Sequence, residues 1–356
     1  METNGLIRPL FSGRLDIIGD VHGEAEALGE LLGKLGYDRH GAHPDGRRLV
    51  FVGDLCDRGP DSPAVIELVR NLVAARRAQC VVGNHELNLL RNEVKHGNGW
   101  YHGKHEEAYG VVTRVTPEAA REIAEFLLSL PVALEREDLR LVHAAWIPKD
   151  IEACRAWRGS VLDAYEEFDR LAHESPEGQR LVAASRAEKH EYPIRAIHAS
   201  SPQPPFLHNI AAYEEYYQMS NPVRVLTSGV ERITTSPFYA GGKWRFVARV
   251  RWWEHYFGAA PVVFGHYWRW WHPDSHARFS KGEPNLFDKE PACGWHHNRD
   301  GREVAFCVDY SAGARFKERK EPRTGPFHGR LAALRWPEKD LLFDQGDPVP
   351  HDAAMR

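Results

Sequence analysis

Three short apolar runs near the start of the chain each end in glycine followed by Asp or Asn, and this repetition limits the fold more than any other feature. Residues 14–19 (RLDIIG) run into Asp20-Val21-His22-Gly23, residues 49–52 into Gly53-Asp54-Leu55-Cys56-Asp57-Arg58-Gly59, and residues 80–82 into Gly83-Asn84-His85-Glu86. Apolar runs of this length read as strands buried on both faces. Between them, residues 24–35 carry Leu28, Leu31, Leu32 and Leu35 at helical spacing and close at Gly36. Residues 62–76 repeat the helical pattern, with Pro63 in the first turn. Alternating strands and helices predict a parallel sheet with crossover helices. The polar residues all fall at the carboxyl ends of the strands, where neighbouring loops splay apart and ligands bind.

Further along, residues 116–130 predict a helix capped by Thr116, with Ile123, Phe126, Leu127 and Leu130 on one face. Residues 139–142 read as a strand ending on His143, and residues 261–264 as one ending on Gly265-His266. Residues 304–308 and 331–336 read as two closing strands, with Asp309 at the end of the first. The long segment between, helical over 151–171 and rich in Pro and Ser near 200–205, is expected to be an insertion. The organisation expected is therefore a core of residues 1–143 and 261–345, with 144–260 forming a lid or side lobe.

The glycine before Asp20, Asp54 and Asn84, and before His266, lets the chain turn sharply off its strand, so that side chains from successive loops converge. A set of carboxylates, imidazoles and an amide oxygen, without thiolate, suits a borderline-hard divalent ion. The five cysteines are scattered and odd in number, which predicts reduced thiols and a cytoplasmic location. A formal net charge of -4 without a basic tail argues against strong non-specific binding of nucleic acid. No apolar run approaches the roughly 18 residues of a membrane span, and the N-terminus lacks the layout of a signal peptide.

The motifs resemble those of the calcineurin-like metallophosphoesterase superfamily, in its branch of phosphoprotein phosphatases and diadenosine tetraphosphate hydrolases. Within residues 16–90, LGY, HPDGR, FVGDLCDRGPDSP and VVGNHE are similar to bacterial PrpE-type phosphatases and to the phosphatase domain of polynucleotide kinase-phosphatases. CVDYSAG and GRLAALRWPE resemble the closing strands. The resemblance implies a four-layer α/β/β/α sandwich with a long insertion. It also implies two divalent metal ions, manganese foremost, with iron, zinc and nickel as alternatives. Asp20 and His22 would bind the first, Asp54 would bridge, and Asn84, His143 and His266 would complete the second. Arg58 would hold a phosphate oxygen, His85 would stand beside the leaving group, and Asp57 would orient it. Two cations about 3.5–4 Å apart acidify a bridging water and clamp both reacting oxygens, and a general acid adds on the order of 10²–10⁴-fold.

Two positions depart from the pattern. Trp268 stands where many metallophosphodiesterases carry a further histidine, which favours the phosphatase branch. His143-Ala144-Ala145 has alanine where glycine is usual, which leaves the shape of that loop open. The function expected is hydrolysis of phosphomonoesters, with a phosphoprotein or nucleotide as substrate. The alternatives are a dinucleoside polyphosphate hydrolase or a nucleic-acid end phosphatase, and an inactive binding module is disfavoured by the intact ligand set. His96, His102 and His105 read as a polar loop at the rim, and Glu86 as a loop support. Trp252, Trp253, Trp268, Trp270 and Trp271, interleaved with Arg249, Arg251 and Arg269, read as packing for the insertion or as a stacking surface. Asp309 and Tyr310 divide evenly between structural and catalytic roles, and Arg269 and Arg315 are candidates for a second phosphate-binding arginine.

Overall fold

The computed structural model describes residues 5–104, 115–192, 197–280, 282–288, 294–298, 300–320, 322 and 325–351; Cys293 and His105 lie outside them. Strands β2 (Leu15–Ile18), β3 (Arg48–Phe51) and β4 (Ala78–Cys80) pair in parallel, with Ile17 beside Val50 and Val50 beside Gln79. Helices α1 (Ala25–Leu35) and α2 (Ser62–Ala74) are the crossovers. Gly36 ends α1 in the left-handed conformation at φ 95°, and the Asp61 carboxylate caps α2 by accepting from Ala64 N–H. The third strand lies two residues earlier than expected. Val81 N–H still bonds the Phe51 carbonyl, but Val82 N–H turns to the Pro131 carbonyl in the other half of the molecule.

On the far side of β2, strand β13 (Arg330–Trp336) pairs antiparallel, Ala333 beside Ile18, and is flanked by β12 (Asp309–Tyr310) and β14 (Leu341–Phe343). A second sheet runs β1 (Ile7–Pro9), β5 (Ala133–Arg136), β6 (Leu139–Val142), β9 (Val262–Phe264), β11 (Glu303–Cys307) and β10 (Trp295–His297). The two-residue period of the strands divides their side chains between two cores. Leu15, Ile17, Val50 and Val52 of one sheet meet Leu139, Leu141, Val263 and Phe306 of the other in the space between the sheets. Ile18, Leu49 and Phe51, like Val142, Val262 and Phe264, face outward into the helical layers. The expected α/β/β/α sandwich follows from this partition.

Between β6 and β9 the chain forms α6 (Pro148–Ala156), α7 (Val161–Glu174), α8 (Pro176–Glu191), α9 (His208–Met219), α10 (Pro222–Ser228) and a hairpin of β7 (Glu231–Ala240) with β8 (Lys243–Arg249). The helix expected over 151–171 is two helices, because Ser160 caps α7 with its own reciprocal bond to Asp163. Ile151, Cys154, Val161, Ala164, Val223 and Leu226 join the main core. Ile197, Leu207, Ile210, Ala211 and Phe246 make a separate small core beneath the hairpin. Among the described residues no helix is long and apolar enough to cross a membrane.

Two stability outcomes follow. Ile17→Ala, in the core between the sheets, should cost about 2–5 kcal/mol in a denaturant titration. Asp150 in α6 is 3% exposed, its Oδ2 has no hydrogen-bond partner among the described residues, and burial raises its carboxyl to about 6. A folded-state value above the unfolded one means stability is lost as pH rises from about 4 through 6. Asp150→Asn should therefore stabilise the chain by on the order of 1 kcal/mol at pH 8 and not at pH 4, read from melting curves at the two pH values.

Candidate metal centre

The loops after β2, β3, β4, β6 and β9 converge at one end of the sandwich, and they bring together the six residues expected as ligands. The close approach has a steric condition. A Cβ on Gly265 would lie 2.0 Å from Asp20 Oδ1, and one on Gly83 would lie 2.3 Å from Asp54 Oδ1. Glycine at these two positions is therefore explained by proximity, since neither adopts a positive φ. Among the described residues, six of the ten non-glycine positions with positive φ are His22, Asp54, Asp57, Arg58, His266 and Trp268. Each such residue costs on the order of 1–3 kcal/mol and persists only where its surroundings enforce it.

Glu86 supplies much of that enforcement. Its carboxylate accepts from Asp54 N–H at 2.8 Å, Leu55 N–H at 2.8 Å and Gly83 N–H at 2.9 Å, and from Cys56 Sγ at 3.3 Å. It is fully buried. The expectation of a loop support for Glu86 fits this set of bonds.

Asp54 lies at the middle. His22, Asp54 and His85 form one group of potential ligands, and Asp54, His143 and His266 form another. The shared carboxylate has His143 Nε2 3.4 Å from Oδ1, and His22 Nε2 at 3.6 Å and His85 Nε2 at 3.9 Å from Oδ2. Asn84 Oδ1 is 3.3 Å from His143 Nε2, and Asp20 Oδ2 is 4.0 Å from His22 Nε2. His22 Nδ1 donates to the Cys56 carbonyl at 3.0 Å and His143 Nδ1 to the Val52 carbonyl at 2.8 Å. A carbonyl only accepts, so the Nε2 nitrogens are the ones turned inward, where a cation could meet them. His266 Nε2 is buried without a hydrogen-bond partner among the described residues, and its backbone N–H holds Asp20. An orphaned imidazole nitrogen beside buried carboxylates is the arrangement that a divalent cation completes.

The buried acids and imidazoles shift one another strongly. Burial, then the Asp309 carboxylate, pushes Asp20 well above the usual carboxylate range. Burial acts the same way on Asp54, but His143 and His85 outweigh it and hold that carboxyl well below. Burial opposes a charge on His143, and Asp54 overrides it, raising the imidazole to about 10. Burial holds His22 and His266 well below their ordinary value, with Arg58 and Arg249 respectively adding to the effect. These two imidazoles are neutral and ready to donate a lone pair.

Around this centre, His85 Nδ1 bonds Asp57 Oδ2 at 2.6 Å, and Arg58 Nη1 lies 2.8 Å from His22 Nε2. Trp268 lays its ring over the Arg58 guanidinium at 4.7 Å. Asp309, buried, accepts from Trp268 N–H at 2.7 Å and Ser311 N–H at 2.8 Å, and so pins the Trp268 loop. A cavity of about 290 Å³ opens beside Arg58 and Trp268, with Arg245, Arg249 and Phe238 of the hairpin on its other wall. Arg315 does not serve the site: its guanidinium bonds Asp344 at 2.5 Å and the Gly329 carbonyl at 2.9 Å. Trp252 and Trp253 pack on Phe264, whereas Trp268 and Trp270 line the cavity. Ala144 and Ala145 are fully buried, and Ala144 N–H bonds the Leu226 carbonyl of α10. His96 and His102 join no group of potential ligands among the described residues. Trp100, which the sequence reading passed over, donates its indole N–H to Asp57 Oδ1. Only its place beside those histidines could have drawn attention to it.

A profile of the calcineurin-like phosphoesterase family matches residues 13–311. The chain belongs to that family. The asymmetrical bis(5′-nucleosyl)-tetraphosphatase PrpE of Halalkalibacterium halodurans is 52% identical over 93 residues, covering 24% of this chain and 38% of that protein. The same enzyme of Oceanobacillus iheyensis is 52% identical over 93 residues, covering 24% and 37%. The chain thus spans less than two fifths of the length of these relatives. Among solved structures, a cold-active protein-tyrosine phosphatase of a psychrophilic Shewanella species is 16% identical with a TM-score of 0.47, over 98% of this chain and 83% of that one. So low a score leaves it a distant likeness.

Two substitutions test the centre. Asp54→Ala should leave at most one tightly bound divalent ion per chain where two are expected of the unaltered protein, counted by elemental analysis after desalting. Glu86→Gln, which weakens three buried backbone contacts, should lower stability by about 1–3 kcal/mol in thermal melts.

Proposed function

We propose that the chain is a metal-dependent phosphomonoesterase of the phosphoprotein-phosphatase type. The observation that carries this reading is the Asp54 carboxylate shared by two ligand groups, with the Asp57–His85 pair on its rim. When bound, two divalent cations supply Lewis acidity and the acidified water that attacks phosphorus. Asp20, His22 and Asp54 would hold one, and Asp54, Asn84, His143 and His266 the other. Oxygen and nitrogen donors without thiolate suit manganese, with iron, zinc or nickel as substitutes. Arg58 reaches the same centre, and its planar fork matches two phosphate oxygens. His85 donates a proton to the leaving oxygen, and Asp57 keeps its ring in that orientation.

A second reading, hydrolysis of dinucleoside polyphosphates, is favoured by the cavity beside Arg58. It combines aromatic rings with Arg245, Arg249 and Lys317, a chemistry suited to a base and further phosphates. The names of the PrpE relatives point the same way. In either reading α8, α9 and the β7–β8 hairpin act as a side lobe whose hairpin walls the substrate cavity. The described cysteines, all buried and unpaired, suit a cytoplasmic enzyme.

The deciding experiment is a substrate panel with Mn²⁺: an aryl phosphate, a phosphopeptide, diadenosine tetraphosphate and a phosphate-ended RNA. The expected outcome is fastest turnover of a monoester, abolished by Asp54→Asn and lowered about 10²-fold or more by His85→Ala. Faster turnover of the dinucleotide than of every monoester would put the second reading in its place.

A further inference from the structure

The segment that follows helix α3 (Asn84–Leu90) returns to the centre and grips it from behind. It includes the single turn α4 (Gly99–His102). The Trp100 indole N–H donates to Asp57 Oδ1 at 2.9 Å, and the Gly97 carbonyl accepts from Arg58 N–H at 3.0 Å. Asp57 and Arg58 are consecutive left-handed residues, φ 71° and 68°. Gly97, at φ 97°, lies so close that a Cβ there would be 2.9 Å from the Arg58 nitrogen. The Ser62 hydroxyl accepts from Asp57 N–H at 2.8 Å. The strained pair is therefore held from both sides.

Asp57 is fully buried and Trp100 is 3% exposed. The two oxygens of the carboxylate have separate tasks: Oδ2 takes His85 Nδ1–H, and Oδ1 takes the indole. The terminal torsion of an aspartate is soft. With only one oxygen engaged, the carboxylate plane is free to rotate and the imidazole to follow it. The indole closes that freedom, much as the outer partners of a metal-bound histidine fix its ring.

We infer that Trp100 is a positioning residue for His85, acting through Asp57; this rests on the phosphoester hydrolysis proposed above. The role has a chemical signature that packing alone lacks. A leaving group that departs as a stable anion needs no proton from His85, whereas an alkoxide does. Holding the imidazole therefore matters in proportion to the basicity of the leaving oxygen.

The test uses the full chain loaded with Mn²⁺ and a series of monoesters running from nitrophenyl phosphate through phenyl phosphate to an alkyl phosphate. Trp100→Phe keeps an aromatic ring and removes the N–H; Trp100→Leu, which also lacks a donor, is the second variant should the first not fold. Melting temperature and metal content are checked before kinetics. The expected result is kcat within twofold on nitrophenyl phosphate and lowered on the order of tenfold on the alkyl ester, with KM unchanged. In a His85→Ala background Trp100→Phe should cost nothing further. Equal losses on all esters, no loss on any, or a full loss persisting without His85 would each overturn the inference while leaving the hydrolysis reading intact. An unaltered protein inert toward every ester would overturn both.

Discussion

Asp54 carries a carboxylate into an interior where it is 2% exposed, and three imidazoles from three different loops face it. A buried charge is tolerated only when its partners are fixed. The loops after β2, β4 and β6 are therefore fixed relative to the loop after β3, because each presents a nitrogen to the same two oxygens. Glu86 repeats the device on the backbone, joining the N–H groups of Asp54 and Leu55 to that of Gly83. Two acids thus hold the site, one through side chains and one through main chain. Arg58 follows Asp54 in the same loop, and Asp309 holds the Trp268 ring against it.

The left-handed residues at this end of the molecule give the arrangement a thermodynamic character. Strain is concentrated where ligand atoms must converge, and it is offset by the core between the sheets, where Leu15, Ile17, Val50, Leu141 and Val263 are completely buried. A rigid sandwich lets loops keep conformations that an isolated peptide would abandon. Cations bound at the centre would add favourable energy to the same loops.

The first three strand ends were readable because each ligand follows a glycine at the end of an apolar run, and both features are local. The structure adds that Gly83 and Gly265 answer to a neighbouring carboxylate oxygen, which no local pattern reveals. Strands β1, β10, β12 and β14 escaped the sequence reading because two or three residues hold no periodicity, and their identity comes from distant partners such as Ala133 beside Ile7. The hairpin escaped for another reason: β7 is half-exposed along most of its length, so neither face is marked by apolar residues. Arg315 looked like a phosphate ligand because a lone arginine in a charged loop does not disclose that Asp344 will bury it. Trp100 was hidden in the opposite way, as a residue usually counted toward packing whose one polar atom meets a buried carboxylate.

One feature of the sheet bears on how the molecule is made. Strand β13 lies directly against β2, with Ala333 beside Ile18 and Trp336 beside Leu15. A chain emerging from the ribosome can form β2, β3, β4 and their crossovers early, since those contacts are close in sequence. The edge of β2 then stays open, with its hydrogen-bonding groups unpaired, through the whole helical segment and up to the last strands. Pairings so distant in sequence are slow to form, and an open edge invites a neighbouring chain. The nascent protein therefore passes through a long interval with half a sandwich and no His266, when it is most exposed to misassembly.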